Sequence, residues 1–238
     1  MALSDSRHLI LIDPSTRHPE REVCQSIMSR TRLRTHLVRP ALPSSHEPSL
    51  DLEGLAHLNK ALIAGVIILG SGASPNESIE WQSDLREWLI QPGGVMDQAL
   101  PLLGICYGHQ LIAQICGAEI GFLWDGALSK GLRDLTLTKR CLGLPAHVPE
   151  QVVVSHREGV FSCPSDWLEL SETEIPPPSP MLKSVRAIEA MRHQEYPWWG
   201  FQGHIDATPS FLLNNSIMAQ LPQPYVGERM IDQFLTYL

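Results

Sequence analysis

A cysteine at residue 106 stands between two glycines, in the run Gly104-Ile105-Cys106-Tyr107-Gly108, and this spacing favours a nucleophile. A short apolar segment precedes the run and a helical pattern follows it, so the chain is predicted to turn sharply from a strand into a helix. Glycines on both sides permit such a turn because they carry no Cβ that would clash. Unpaired N–H groups and the positive dipole end of the helix favour the thiolate, which attacks carbonyl carbons. The alternative is that Cys106 is a small buried apolar residue at a junction between a loop and a helix.

A cysteine nucleophile needs a base that takes its proton and a third group that orients the base. His204 and Asp206 suit these roles, since residues two apart on an extended strand point to the same side. The strand predicted here runs from Trp198 to His204, and Asp206 follows it directly. The alternatives are a hydrogen-bonded histidine at the end of a strand, and an aspartate that caps a turn or helix before Pro209.

A loop of small residues, Gly70-Ser71-Gly72, follows the clearest buried strand of the sequence, predicted over Ala64–Leu69. Backbone N–H groups that glycine leaves free can point at an anion. A nucleophile at a strand-to-helix turn also uses the N–H of the next residue, here Tyr107. We therefore predict an oxyanion hole formed by Tyr107 and one N–H of the loop. Composition alone would favour a flexible turn.

Three segments together resemble one protein family. Leu103-Gly104-Ile105-Cys106-Tyr107-Gly108-His109-Gln110 is similar to the nucleophile motif of class I (triad-type) glutamine amidotransferase domains. Ser155-His156-Arg157-Glu158 resembles the Ser-His-Gly-Asp segment of the GMP-synthetase-like members, and Phe201-Gln202-Gly203-His204-Ile205-Asp206 resembles their Phe-Gln-Phe-His-Pro-Glu-like motif. Gly203, Ile205 and Asp206 depart from the last motif. Aspartate in place of glutamate keeps the charge but shortens the side chain by one methylene.

The resemblance implies a flavodoxin-like amidotransferase fold and hydrolysis of the side-chain amide of L-glutamine to glutamate and ammonia. It implies a γ-glutamyl thioester on Cys106, protonation of the leaving ammonia by His204, and glutamine held with the help of Gln110, Ser155 and His156. Such domains usually deliver ammonia to a synthetase. Since the chain contains no G-x-x-x-x-G-K-[ST] motif, any acceptor enzyme is expected to be a separate chain.

Two other functions remain open. A γ-glutamyl peptidase or hydrolase would use the same three residues on a different γ-glutamyl compound. A non-catalytic relative would serve as a binding or regulatory subunit. The non-catalytic alternative stays open because Gly203 and Asp206 depart from the family motif.

Alternation of strands and helices, with the cysteine at the C-terminal end of a strand, predicts an α/β protein. We expect a mostly parallel central sheet, covered by helices on both faces, with a small antiparallel extension, and a single domain over residues 1–238. A proline-rich excursion at residues 175–180 and a loop at Pro43–Pro48 interrupt the pattern. The predicted strands are His8–Asp13, Thr35–Arg39, Ala64–Leu69, Leu135–Thr138, Gln151–Val154, Val185–His193 and Trp198–His204, and the predicted helices are Glu20–Arg30, Leu52–Leu58, Trp81–Ile90, Ser210–Leu221, Ile231–Leu238 and the one after Cys106, which Gly117 ends.

Composition limits the partners and the compartment. The 238 residues carry a net charge of −8 and no dense basic patch, so nucleic acid is not an expected partner. The 5 cysteines form no C-x-x-C pair and no H-E-x-x-H motif is present, which predicts neither disulfides nor a metal site, and no cofactor. The N-terminus lacks a signal-peptide pattern and no apolar run is long enough to span a membrane. We expect a cytoplasmic protein.

Overall fold

The structure, a computed structural model, describes residues 7–42, 49–177 and 179–238. The α-helices are α1 (Arg21–Ser29), α2 (Leu52–Ala56), α3 (Glu80–Ile90), α4 (Tyr107–Ile115), α5 (Pro209–Asn214) and α6 (Val226–Leu235). The strands are β1 (His8–Ile12), β2 (Arg34–Val38), β3 (Ile63–Ile68), β4 (Leu102–Ile105), β5 (Ile120–Phe122), β6 (Ser129–Thr136), β7 (Pro149–His156), β8 (Glu158–Val160), β9 (Trp167–Ile175), β10 (Val185–His193) and β11 (Trp198–Phe201).

A seven-stranded sheet with the order β2-β1-β3-β4-β11-β10-β9 forms the centre of the molecule. The strands β2, β1, β3, β4 and β11 are parallel, and β10 and β9 continue the sheet in antiparallel pairing. Two antiparallel pairs, β5 with β8 and β6 with β7, lie outside this sheet. The predicted mostly parallel sheet with a small antiparallel part is confirmed.

Alternate side chains of β1 enter two different hydrophobic cores, as the period-two geometry of a strand requires. Leu9 and Leu11 pack in the core that includes residues of α1, α5 and α6. Ile10 and Ile12 pack in the core that includes residues of α2, α3 and α4. Helices therefore cover both faces of the sheet, which explains why its central strands are apolar on both sides.

The boundaries of several elements differ from the prediction. The prediction misses the strands β5, β8 and β9. The strand predicted from Leu135 begins at Ser129 as β6, because pairing with β7 extends it through residues without an apolar alternation. The helix predicted over Ser210–Leu221 ends at Asn214, where Ser216 adopts a φ of 52° that is incompatible with a helix. The last helix begins at Val226, before the predicted start. The predicted loop at 43–48 and residue 178 of the proline-rich segment lie outside the described residues.

Among the helices of the described ranges, none has the length and apolar character that crossing a bilayer would require.

Candidate active site

The C-terminal ends of β1, β3, β4 and β11 lie at one edge of the sheet, where ligands of open α/β sheets bind. Cys106 follows β4, and His204 and Asp206 follow β11. A cavity of about 380 Å³ opens at this edge. Its lining includes these predicted site residues: Gly70, Ser71, Gly72, Cys106, Gln110, Ser155, His156, His204 and Asp206. A second cavity of about 660 Å³ runs along α6 and is lined by none of them.

The turn between β4 and α4 holds Cys106 in a strained backbone conformation, with φ 52° and ψ −104°. Close backbone contacts make both flanking glycines necessary. A Cβ on Gly104 would lie 2.5 Å from the carbonyl oxygen of Gly108, and a Cβ on Gly108 would lie 2.3 Å from the carbonyl oxygen of Ile68. The thiol therefore projects from the start of α4 into the cavity, as the sequence predicts for a nucleophile.

His204 and Asp206 contact each other, with Nδ1 and Oδ1 3.1 Å apart and both side chains almost fully buried. The prediction that one strand continues through His204 is wrong, because β11 ends at Phe201. Beyond it, His204 bridges to β7 through its backbone N–H and the carbonyl of Val153 (2.7 Å), and a turn brings Asp206 back to the imidazole. The turn, and not strand alternation, lets the shorter aspartate reach the ring.

Gly203 departs from the family motif for a reason that the packing shows. A Cβ at this position would lie 2.7 Å from Cγ2 of Val152 on β7. The side chain of Val152 therefore occupies the space into which a larger residue at 203 would have to project. Such a residue would require Val152 or the backbone between Phe201 and His204 to shift.

The pKa of His204 is raised to about 10. Burial alone would lower it, but the negative charge of Cys106 and the hydrogen bond and charge of Asp206 favour the imidazolium more strongly. The imidazole is therefore protonated at neutral pH and stands beside the sulfur as a proton donor.

This shift predicts a pH dependence of stability. Because the pKa is higher in the folded protein, the charged His204 contributes its full stabilisation below its ordinary pKa of 6.5 and loses it as pH rises through about 10. We expect the difference in Tm between the wild type and His204→Gln to shrink over that range, as measured by thermal denaturation at successive pH values. A difference that stays constant up to pH 10 would contradict the raised pKa.

Tyr225, which sequence reasoning did not single out, fixes the backbone of His204. Its buried hydroxyl donates to the carbonyl oxygen of His204 and accepts the N–H of Val153 at 3.2 Å. A Cβ on Gly227, in the first turn of α6, would lie 1.9 Å from the carbonyl oxygen of Ile205. The start of α6 is thus packed tightly against the turn that carries His204 and Asp206, and only the fold makes this visible.

Tyr225→Phe removes both hydrogen bonds and takes away the acceptor of the buried N–H of Val153, while the carbonyl of His204 keeps the N–H of Ala207 at 3.2 Å. We expect a loss of about 1–3 kcal/mol in the free energy of unfolding, measured by urea denaturation. Tyr237→Phe is the matched control because Tyr237 is 49% exposed, and it should change stability little. Equal stability of the two variants would mean that the Tyr225 hydroxyl does not hold the turn.

The loop Gly70-Ser71-Gly72 lies against both the side chain of Cys106 and the imidazole of His204. A Cβ on Gly70 would lie 2.7 Å from Cε1 of His204 and 3.6 Å from Cβ of Cys106. The hydroxyl of Ser71 donates to the carbonyl of Pro14 (2.7 Å) and accepts the N–H of Ala73 (3.1 Å). The loop is therefore held by its own hydrogen bonds, with its backbone beside the atoms that would react.

His156 and Ser155 form part of the cavity wall. Because an arginine can only donate, the contact of 3.3 Å between Nη1 of Arg133 and Nε2 of His156 makes Nε2 an acceptor, and Nδ1 donates to the carbonyl of Glu158 at 2.8 Å. Burial and the charge of Arg133 lower the pKa of His156 to about 3, so the ring is neutral. Both ring nitrogens are engaged with the protein, while Ser155 is half-buried at the wall.

Glu20, at the end of the loop after β1, also lines the cavity. Burial raises its pKa to about 7, and the charges of Asp206 and Asp13 add to this, while His204 opposes it. The sequence contains one usable signal for this residue, namely its position after a parallel strand whose end lies at the same edge of the sheet. Within the described ranges, no group of three or more His, Cys, Asp or Glu side chains could hold a metal ion.

The fold is an open α/β sheet that brings a cysteine, a histidine and an aspartate to one cavity at its edge. The family model described as "Glutamine amidotransferase class-I" matches residues 30–215, and the chain belongs to this family. The resemblance to class I glutamine amidotransferase domains that was noted in the sequence is thereby confirmed.

Among curated proteins, a glutamine-hydrolyzing GMP synthase subunit of Archaeoglobus fulgidus is 33% identical over 139 residues, which are 58% of this chain and 64% of that protein. The carbamoyl phosphate synthase small chain of a Nostoc species is 24% identical over 157 residues, 60% of this chain and 37% of its own length. The chain thus covers less than two thirds of the length of these relatives.

Among solved structures, a glutamine amidotransferase of Thermotoga maritima matches with a TM-score of 0.63 and 15% identity, covering 96% of each chain. A glutamine amido transferase of Methylobacillus flagellatus matches with a TM-score of 0.62 and 14% identity, covering 98% of this chain and 93% of the other. At these identities the likeness concerns the fold.

Proposed function

We propose that the protein hydrolyses the side-chain amide of L-glutamine through a γ-glutamyl thioester on Cys106, giving glutamate and ammonia. One observation carries this proposal. Cys106, at the end of β4, and the His204–Asp206 pair, beyond the end of the neighbouring parallel strand β11, line one cavity. A nucleophile, a protonated imidazole and an orienting carboxylate are the parts that acyl transfer to sulfur needs.

The sulfur of Cys106 attacks the amide carbon, and the N–H of Tyr107 with one N–H of the loop Gly70–Gly72 holds the oxyanion. His204, oriented by Asp206, gives its proton to the leaving nitrogen, so that ammonia departs as the C–N bond breaks. Water then attacks the thioester with His204 as the base, which releases glutamate and restores the sulfur. In this scheme Ser155, His156 and Gln110 belong to the wall that surrounds the glutamine.

We further propose that the ammonia is used by a separate acceptor enzyme. The support is the names of the relatives, one of which is a GMP synthase subunit and the other the small chain of carbamoyl phosphate synthase. Each name describes one chain of a larger enzyme, and the same division of work would suit this chain.

The test is release of ammonia and glutamate from L-glutamine by the purified protein, with γ-glutamyl peptides assayed in parallel. Ammonia from free glutamine supports the proposal, whereas release of an amino acid from the peptides alone would favour a γ-glutamyl hydrolase. If neither substrate reacts, a glutamine-like electrophile is applied. Labelling of Cys106 would indicate a glutaminase that needs its partner, and an unlabelled Cys106 would favour the non-catalytic alternative.

A further inference from the structure

Gln202 lies beside the sulfur of Cys106 because of how two strands are paired. The parallel register of β11 and β4 places Phe201 opposite Ile105, so the next residue on each strand reaches the same level of the sheet edge. There the Nε2 atom of Gln202 is 3.6 Å from Sγ of Cys106, within hydrogen-bonding range for sulfur. The side chain of Gln202 is fully buried, so water does not compete for this contact.

The direction of this hydrogen bond follows from its neighbours. Nε2 of Gln110 contacts the backbone carbonyl of Glu158 at 2.8 Å, and a carbonyl can only accept, so the atom of Gln110 at this position is its nitrogen. The same nitrogen lies 3.0 Å from Oε1 of Gln202. The amide of Gln202 therefore directs its oxygen toward Gln110 and its N–H group toward Cys106. One carbonyl thus sets the orientation of two amides in series.

We propose that Gln202 is a further catalytic residue, whose amide N–H stabilises the thiolate of Cys106, and that Gln110 is a positioning residue that fixes this amide. A hydrogen bond to a charged acceptor in a buried site is stronger than one between neutral groups. No proton is transferred from Gln202. The donor stabilises the anion before attack, and it weakens as the sulfur lone pair forms the bond to carbon.

The proposal rests on the proposed function in one respect, since it takes Cys106 as the nucleophile. It adds a second role for Gln110, whose side chain lines the cavity while its nitrogen is engaged with Glu158 and Gln202. The hydrogen bond to the sulfur also gives Gln202, two residues before His204, a role that requires no contact with the substrate glutamine.

The experiment measures the rate of alkylation of Cys106 by iodoacetamide as a function of pH, with the modified peptide quantified by mass spectrometry. Gln202→Met keeps the approximate length of the side chain and removes the donor without adding a charge. We expect the midpoint of the pH dependence to move to higher pH, and the rate at neutral pH to fall about tenfold, as the loss of a charge-assisted hydrogen bond implies. Gln110→Leu should move the midpoint in the same direction by less.

Gln82→Met is the matched control, since Gln82 is also fully buried and its Nε2 donates to a backbone carbonyl, that of Ser74, at 3.1 Å. A merely structural effect would lower Tm in both variants, whereas only the change at Gln202 should move the midpoint. If Gln202→Met does not fold, Gln202→Leu, which also lacks the donor, replaces it. A midpoint equal to that of the wild type in a folded Gln202 variant would overturn the proposal.

This outcome is distinguishable from failure of the proposed function, because alkylation requires no substrate and no partner. A wild type that is alkylated at Cys106 with the expected pH dependence, but reacts with no γ-glutamyl compound, would refute the hydrolysis and leave the role of Gln202 in place. A wild type that hydrolyses glutamine, with an unchanged midpoint in the Gln202 variants, would do the reverse.

Discussion

Replacement of Cys106 by alanine is expected to remove essentially all release of ammonia from glutamine, a decrease of about 10⁴-fold or more. The proposed thioester cannot form without the sulfur, and the remaining groups of the site can only orient water. The measurement is the rate of ammonia and glutamate formation at saturating glutamine. The variant should keep its fold, since alanine leaves the closely packed Gly104 and Gly108 unchanged.

Cys163→Ala is the control for this experiment. Cys163 is a free, partly buried thiol that does not line the cavity, so its loss should leave the rate within about twofold of the wild type. Comparable rates in Cys106→Ala and the wild type would show that another group performs the chemistry. The predicted role of Cys106 would then have to be abandoned, whatever the family of the chain.

Replacement of Asp206 by asparagine is expected to lower the rate of hydrolysis by about 10³–10⁴-fold, the cost of losing the orienting carboxylate in a comparable triad. The carboxylate accepts the hydrogen bond from Nδ1 of His204, 3.1 Å away, and its charge helps to keep the ring protonated. An amide at this position can offer its own N–H, which favours the wrong tautomer. The pKa of His204 should fall, because one of the groups that raise it is removed.

The measurements are steady-state kinetics with glutamine and a titration of the His204 ring by NMR. Asp84→Asn, an exposed change on α3 with the same loss of charge, is the control and should leave both unaffected. The Asp206 variant should lose kcat with little change in KM, since the aspartate acts through His204. If Asp206→Asn retained the wild-type kcat, Asp206, which stands where the family usually has glutamate, would have no role in turnover.

The sequence alone is sufficient for the features that local geometry imposes. The turn at Cys106 can be predicted because close approach of backbone segments demands glycine at 104 and 108, and because an apolar helical pattern follows directly. The parallel sheet follows from the alternation of strands and helices. The identities of His204 and Asp206 as partners of Cys106 come from motif and resemblance. Their contact with each other is expected from a strand that continues through His204, whereas in the structure a turn beyond the end of β11 at Phe201 produces it.

The tertiary structure decides what depends on contacts between distant segments. The strand β11 ends at Phe201 because the chain then leaves β10, and His204 bridges to β7. The residues around His204 carry no local pattern that predicts this end. Tyr225 reaches the carbonyl of His204 because α6 packs beneath the turn, and Glu20 approaches Asp206 because the loops after β1 and β11 share one edge. Gln202 meets Cys106 through strand pairing between segments far apart in the chain. Periodicity in a sequence shows which face of an element is buried but not which residue lies opposite, because that depends on register and packing.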